Sequence, residues 1–203
     1  MRSSGYRGPI MIASTGITPR RIGNEPDPHA WQDLAHARLY VLNILDALIN
    51  IRPFDTAGFK QRATQYLARL TDLDAELRKV FAGIPKAQRR VITSHDAFGY
   101  FGDAYGIEFL SPQGMSTDSE ASASAVARLV DQIRREGVRA VFVENITDPR
   151  LVERIAREGG VTLGGKLYSD ALSKPGTEAD TYLKLFAHNA KTIAGSLMTA
   201  RIR

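Results

Sequence analysis

The sequence predicts an α/β fold: a parallel-sheet carboxyl-terminal lobe with helical crossovers, entered through one long helix. Three observations carry that prediction. Beyond residue 90, short β-branched and apolar runs alternate with helical periodicity, as strands joined by crossover helices do. From Phe59 to Val80 apolar residues recur alternately four and three apart, the spacing of one continuous helical seam. The stretch from Arg90 to Phe101 changes character at one point. Val91, Ile92 and Thr93 read as a buried strand, Phe98, Tyr100, Phe101 and Tyr105 as a helix face, and Ser94-His95-Asp96 sits at their junction.

Taken in order, Pro9 to Ala13 is predicted as a strand, followed by a polar loop rich in Gly, Pro and Arg that leads to Asp27-Pro28-His29-Ala30-Trp31. Pro28 biases Asp27 towards an extended backbone and stiffens the approach to His29. Leu34, Val41, Leu45 and Leu48 then argue a helix over 31–50, ended by Arg52-Pro53. The long helix follows. Its seam of Phe59, Ala63, Tyr66, Leu70, Leu73, Leu77 and Val80 supports about 27 residues, roughly 40 Å at 1.5 Å per residue. Three heptads with Ala and Tyr in the seam are weak for a coiled-coil oligomer, so packing on the chain's own core is expected.

Past Ile84-Pro85 the predicted order is strand 90–94, helix 97–105, strand 107–110, helix 122–136, strand 138–143, helix 148–158, strand 161–163 and a final helix from about Ala179. Gly137 is the stop signal of helix 122–136. Ser111 to Ser119 reads as a surface connection, and Arg201 and Arg203 as a frayed tail.

Composition narrows the function classes. With 43% hydrophobic and 24% charged residues the 203-residue chain is globular, long enough for one domain or one domain with part of another. No run approaches the ~20 apolar residues of a spanning helix. The net charge of +5 is scattered among acidic residues, as at Arg134-Arg135-Glu136, without the basic stripe that nucleic-acid binding favours. The absence of cysteine rules out disulfides and thiolate ligands, so a metal site has to be built from His, Asp, Glu and water. Met1 to Gly5 has no apolar core and no cleavage-site pattern, so no signal peptide is expected here.

His95, Glu144 and Asp170 each fall at or just past the carboxyl end of a predicted strand. In a parallel sheet those ends share one edge, where ligands bind, and imidazole with carboxylate is a donor set for Zn, Mn or Fe. His29, in its Pro-stiffened turn, offers a further nitrogen. Each has a plainer alternative: Ser94 or Asp96 caps the helix and His95 is merely exposed, Asp170 caps a turn, Glu144 pairs with an arginine such as Arg150, and His29 is a loop histidine. His36 and His188 lie within helices and read as surface or packing residues. Neither a Gly-rich phosphate loop nor a Gly-x-Ser-x-Gly elbow occurs.

Four motifs occur in order around the long helix: Asp27-Pro28-His29-Ala30-Trp31, Thr93 to Phe101, Val143-Glu144-Asn145 and Tyr168-Ser169-Asp170-Ala171-Leu172. Together they make nearly the whole chain resemble the zinc- and manganese-binding solute-binding proteins of bacterial ABC importers, the ZnuA-like and TroA-like family. In that family two α/β lobes are joined by one long helix. A metal between the lobes is held by a histidine from early in the first lobe, the histidine of Asp-Pro-His, a histidine or glutamate of the Thr-Ser-His/Glu segment, and an aspartate near the carboxyl end. The resemblance carries three of these onto His29, His95 and Asp170, and gives Glu144 the task of orienting a ligand. Histidine rather than glutamate at 95 resembles the zinc-type members, so Zn²⁺ is the expected ion, with Mn²⁺ or Fe²⁺ as alternatives.

The resemblance further implies no enzymatic activity, a periplasmic or cell-surface location and delivery of the ion to an ABC permease in the membrane. Against the family pattern the first histidine and most of the first lobe are missing. The expected division is a remnant of the N-terminal α/β lobe over 1–52, the linking helix over 53–83 and the C-terminal lobe over 84–203. Unpaired, the strand Pro9 to Ala13 would be expected to recruit a second copy, giving a homodimer, or to leave the chain disordered through about Glu25. The rival readings are a metal-dependent hydrolase using a zinc-bound water, and a truncated fragment with impaired metal binding.

Overall fold

The computed structural model describes residues 5–112, 114 and 122–199. A two-residue hairpin, β1 (Arg21–Ile22) against β2 (Glu25–Pro26), comes first. Two helices follow, α1 (Leu34–Ile51) and α2 (Thr56–Ala82). Then come β3 (Arg90–Ile92), α3 (Gly99–Tyr105), β4 (Glu108–Leu110), α4 (Ala123–Glu136), β5 (Ala140–Glu144), α5 (Arg150–Gly159), β6 (Thr162–Leu167) and α6 (Tyr182–Thr199). Most of the expected Ser111–Ser119 connection, and the tail with Arg201 and Arg203, lie outside the described residues.

The four strands form one all-parallel sheet in the order β4-β3-β5-β6. Successive residues of a strand face opposite sides, and both sides are covered. Val91, Ala140 and Phe142 join the core built with α2, α3 and α6, while Ile92 and Val141 join the core built with α4 and α5. The chain leaves β3 towards β4 on one side and β5 towards β6 on the other. β3 and β5 are therefore the switch point of the sheet, and the crevice outside their carboxyl ends is where such sheets bind ligands.

α2 has the 27 residues its seam implies, and Leu70 and Leu77 are buried along it, with Phe81 at its end. It packs on α1, α3 and α6. α3 and α5 end where Gly106 and Gly160 take left-handed φ values of 70° and 68°. β6 runs four residues past the expected 161–163. Gly164 and Gly165 hid it, because they break the β-branched pattern; side chains of Phe142 and Thr192 occupy the space their Cβ atoms would need.

Two expectations are corrected at the amino-terminal end. Pro9 to Ala13 is not a strand: Ile10, Met11 and Ile12 are exposed, and among the described residues the strand pairing near them is the small hairpin inside what reads as a loop. An isolated strand has no ladder to stabilise it. The segment is tied instead by the Asn43 amide, which donates to the carbonyls of Ala13 at 2.8 Å and Thr15 at 2.9 Å. The expected homodimer depended on that strand and has no support in the structure. α1, moreover, is long and apolar enough to cross a membrane by length and composition alone. Here it lies against α2, with Leu34 and Ala37 buried and Leu42, Ile44 and Ile51 exposed.

Candidate metal centre

His95 lies in the turn between β3 and α3, and no residue of that turn caps the helix. Phe98 holds the cap position without a side-chain hydrogen bond, so the plainer reading of Ser94 or Asp96 as caps is not what forms. His95 is not exposed either; it is fully buried. What fixes it is Glu144, the last residue of the neighbouring β5. The His95 backbone N–H donates to Glu144 Oε1 at 3.0 Å, and His95 Nδ1 lies 2.7 Å from Oε2. Arg150, the alternative partner for Glu144, pairs with Asp148 at 2.8 Å instead.

His29 is held in the same manner from its own turn. Asp27 Oδ1 accepts the His29 backbone N–H at 2.9 Å and lies 2.8 Å from Nδ1. Both residues are 2% exposed, which for a carboxylate requires a partner. Arg20 supplies it: Nη1 reaches Asp27 Oδ2 at 2.8 Å while Nε reaches Asp103 on α3 at 2.6 Å. Tyr100 adds a bridge, accepting the Arg20 N–H and donating to the Asp27 carbonyl. Burial would raise the Asp27 carboxyl, but the hydrogen bonds from His29 and Arg20 outweigh it and hold the group below the usual carboxylate range.

With each Nδ1 engaged by a carboxylate, each ring turns Nε2 towards Asp170. His29 Nε2 is 3.9 Å from Asp170 Oδ1, and His95 Nε2 is 3.3 Å from Oδ2. The two imidazoles stand edge to face, with centroids 5.5 Å apart. One donor atom from each of His29, His95 and Asp170 lies within 4.8 Å of the others. A proton on Nδ1 leaves the Nε2 lone pair free, so the carboxylates set the tautomer that a metal requires. Without a metal, burial opposes a charge on His95, yet Asp170 and Glu144 outweigh burial and its pKa is pushed up to about 9. The proton on His95 then occupies the place of a cation among carboxylates.

The turns carrying His29 and Asp170 are tied together. The Ser169 carbonyl accepts from Trp31 Nε1 at 3.1 Å and from Gln32 Nε2 at 3.0 Å, and the Tyr182 hydroxyl donates to the Trp31 carbonyl at 2.5 Å. All four sequence-predicted residues thus meet at one edge of the sheet: three as converging donors, and Glu144 behind His95. His36 and His188 stay apart, His36 beside Asp33 and Tyr100, His188 against the Lys166 carbonyl. Sequence reasoning missed Arg20, Asp27, Gln32, Tyr100 and Asp103. Only Asp27 left a signal, a carboxylate two residues before a histidine and stiffened by the intervening proline.

Residues 2–196 match the model of a family described as zinc-uptake complex component A, periplasmic. The chain belongs to that family. Among its relatives, the manganese-binding lipoprotein MntA of Bacillus subtilis is 36% identical over 192 residues, covering 92% of this chain and 62% of that protein. The zinc-binding protein TroA of Treponema pallidum is 35% identical over 201 residues, 95% of this chain and 65% of its own length. The chain thus spans somewhat less than two thirds of these curated relatives. The solved structure of periplasmic TroA superimposes with a TM-score of 0.84 at 36% identity, covering 90% of this chain and 67% of that one. A manganese-bound periplasmic metal-binding protein of Candidatus Liberibacter asiaticus superimposes with a TM-score of 0.84 at 26% identity, covering 93% and 71%. Family membership and fold agree with the resemblance drawn from the four motifs.

Proposed function

We propose that this chain is the metal-binding solute-binding component of an ABC importer, capturing a divalent transition-metal ion with His29, His95 and Asp170 and passing it to a membrane permease. The observation that carries the reading is the convergence of those three donors, with each imidazole held at Nδ1 by a carboxylate. Two neutral imidazoles and one carboxylate suit Zn²⁺ best, and water can complete a tetrahedral shell. Relatives are named for zinc and for manganese alike, and this donor set favours zinc of the two. On this reading residues 1–52 belong to a first lobe, 53–83 to the linking helix and 84–203 to the second lobe. A periplasmic or cell-surface location accords with the relatives' description as periplasmic proteins and lipoproteins.

The hydrolase reading has less support. A zinc-bound water needs a general base, and Glu144, the nearest candidate, has one oxygen bonded to the His95 N–H and the other 2.7 Å from its ring Nδ1, facing the histidine. The experiment is a titration of metal-free protein with Zn²⁺ and then Mn²⁺ against a chromogenic chelator. One equivalent of Zn²⁺ should be withdrawn from the chelator, more tightly than Mn²⁺, and His95→Ala should abolish most of the uptake. Unchanged uptake by that variant would place the site elsewhere.

A further inference from the structure

Val143-Glu144-Asn145 stands out in the sequence, and holding His95 uses only its glutamate. Asn145 immediately follows the end of β5, where its own N–H donates to the Leu167 carbonyl at the end of β6, at 3.0 Å. Its side chain then reaches around the Asp170 turn. Asn145 Oδ1 accepts the Ser169 N–H at 3.3 Å, and Nδ2 donates to the Ala171 carbonyl at 3.1 Å. These groups belong to the residues on either side of Asp170, so the amide spans its turn. From the other direction Asn189 on α6 grips Tyr168, accepting its N–H at 2.9 Å and donating to its carbonyl at 2.7 Å.

We infer that Asn145 is a positioning residue for Asp170, so that the dipeptide Glu144-Asn145 sets two donors of the site at once: His95 through the carboxylate and Asp170 through the amide. The inference rests on the proposed metal-binding role, and it adds a residue whose amide bonds to the backbone of the Asp170 turn. The physical reason lies in what each donor stands on. His95 is buried and gripped at two atoms, whereas the Asp170 side chain is about one third exposed (32%) and leaves from a loop. A carboxylate on a free loop would lose conformational entropy each time it closed on an ion. An amide has one acceptor and two donors on a short rigid stem, and can satisfy an N–H and a C=O of one turn together. A carboxylate at 145 would meet the Ala171 carbonyl with an acceptor, and an alanine would release both peptide groups.

The test uses Asn145→Ala and Asn145→Asp in the full chain. Hydrogen exchange of the metal-free proteins is expected to accelerate over residues 168–172 in the alanine variant, less so in the aspartate variant, which keeps the Ser169 bond and the shape of the side chain. Exchange over 90–97 should not change. Zn²⁺ affinity measured by chelator competition should fall about 10- to 100-fold in Asn145→Ala. That loss should largely vanish in an Asp170→Ala background, because a residue that acts through Asp170 has nothing to position there. Unaltered exchange over 168–172 in both variants would overturn the inference, and so would an affinity loss of the same size with and without Asp170. If the parent protein took up no Zn²⁺, the proposed function would fail, while the exchange comparison would still decide whether Asn145 holds the turn.

Discussion

Glu144 and His95 meet through four atoms: one carboxylate oxygen accepts the His95 backbone N–H at 3.0 Å, and the other lies 2.7 Å from the ring Nδ1. The pair joins the ends of two neighbouring strands, and it leaves one ring nitrogen, Nε2, facing Asp170.

Glu144→Gln keeps an acceptor for one of these bonds but lacks the charge that strengthens the ring as a donor. Zn²⁺ affinity is expected to drop about 10- to 100-fold, the usual effect of removing a ligand's hydrogen-bonded carboxylate. Calorimetric titration of the variant checks this, and an affinity equal to the parent's would mean that Glu144 serves the fold alone.

The pH dependence has opposite signs with and without metal. In the metal-free protein the His95 pKa is raised to about 9, above the ~6.5 of an unfolded histidine. Its contribution to stability is therefore complete below pH ~6.5 and lost as pH rises through about 9. Chemical denaturation of the metal-free protein should show stability falling across that window. Metal binding runs the other way, since the ion displaces the proton: affinity should rise from neutral pH up to about 9, with close to one proton released per Zn²⁺ at pH 7. Titrations in buffers of different ionisation enthalpy count that proton. No release would show that His95 is not the group displaced.

Asp27→Asn should weaken both metal binding and folding. Arg20 would lose its buried partner and His29 a charged acceptor, at a cost of roughly 2–3 kcal/mol. Because the Asp27 carboxyl sits below its usual range, its contribution is present above pH ~4 and is lost as pH falls through the lowered value. Acid unfolding should therefore begin at higher pH in the variant that has lost this pair.

Leu70 and Phe54 bracket the packing of the long helix. Leu70→Ala should cost about 3 kcal/mol because the residue is fully buried in the core of α2, α3 and α6. Phe54→Ser, at a fully exposed position, should change stability by less than about 0.5 kcal/mol. Urea denaturation midpoints of the two variants measure the contrast.

The parallel sheet beyond residue 90 and its helices are legible because their signals are local. The seam from Phe59 to Val80 states a helix by spacing alone, and strands separated by helices force a parallel sheet. Placing His95, Glu144 and Asp170 at carboxyl ends of strands then follows from topology. What stayed hidden depends on contacts between distant residues. Arg20 meets Asp103 across 83 positions, and Trp31 meets Ser169 across 138, with nothing in either neighbourhood to announce the other. Ile10-Met11-Ile12 failed in the opposite sense: its local pattern reads as a strand, but a strand exists only with a partner. Gly164-Gly165 hid a real strand, since the reason for glycine there is the packing of Phe142 and Thr192.

X-ray absorption at the zinc edge of protein loaded with one equivalent of Zn²⁺ reads the proposed site directly. Expected are nitrogen and oxygen donors at about 2.0–2.2 Å with outer-shell scattering from two imidazoles, falling to one in His95→Ala or in His29→Ala. A spectrum without imidazole scattering, or one unchanged in both variants, would contradict a metal centre built on His29, His95 and Asp170.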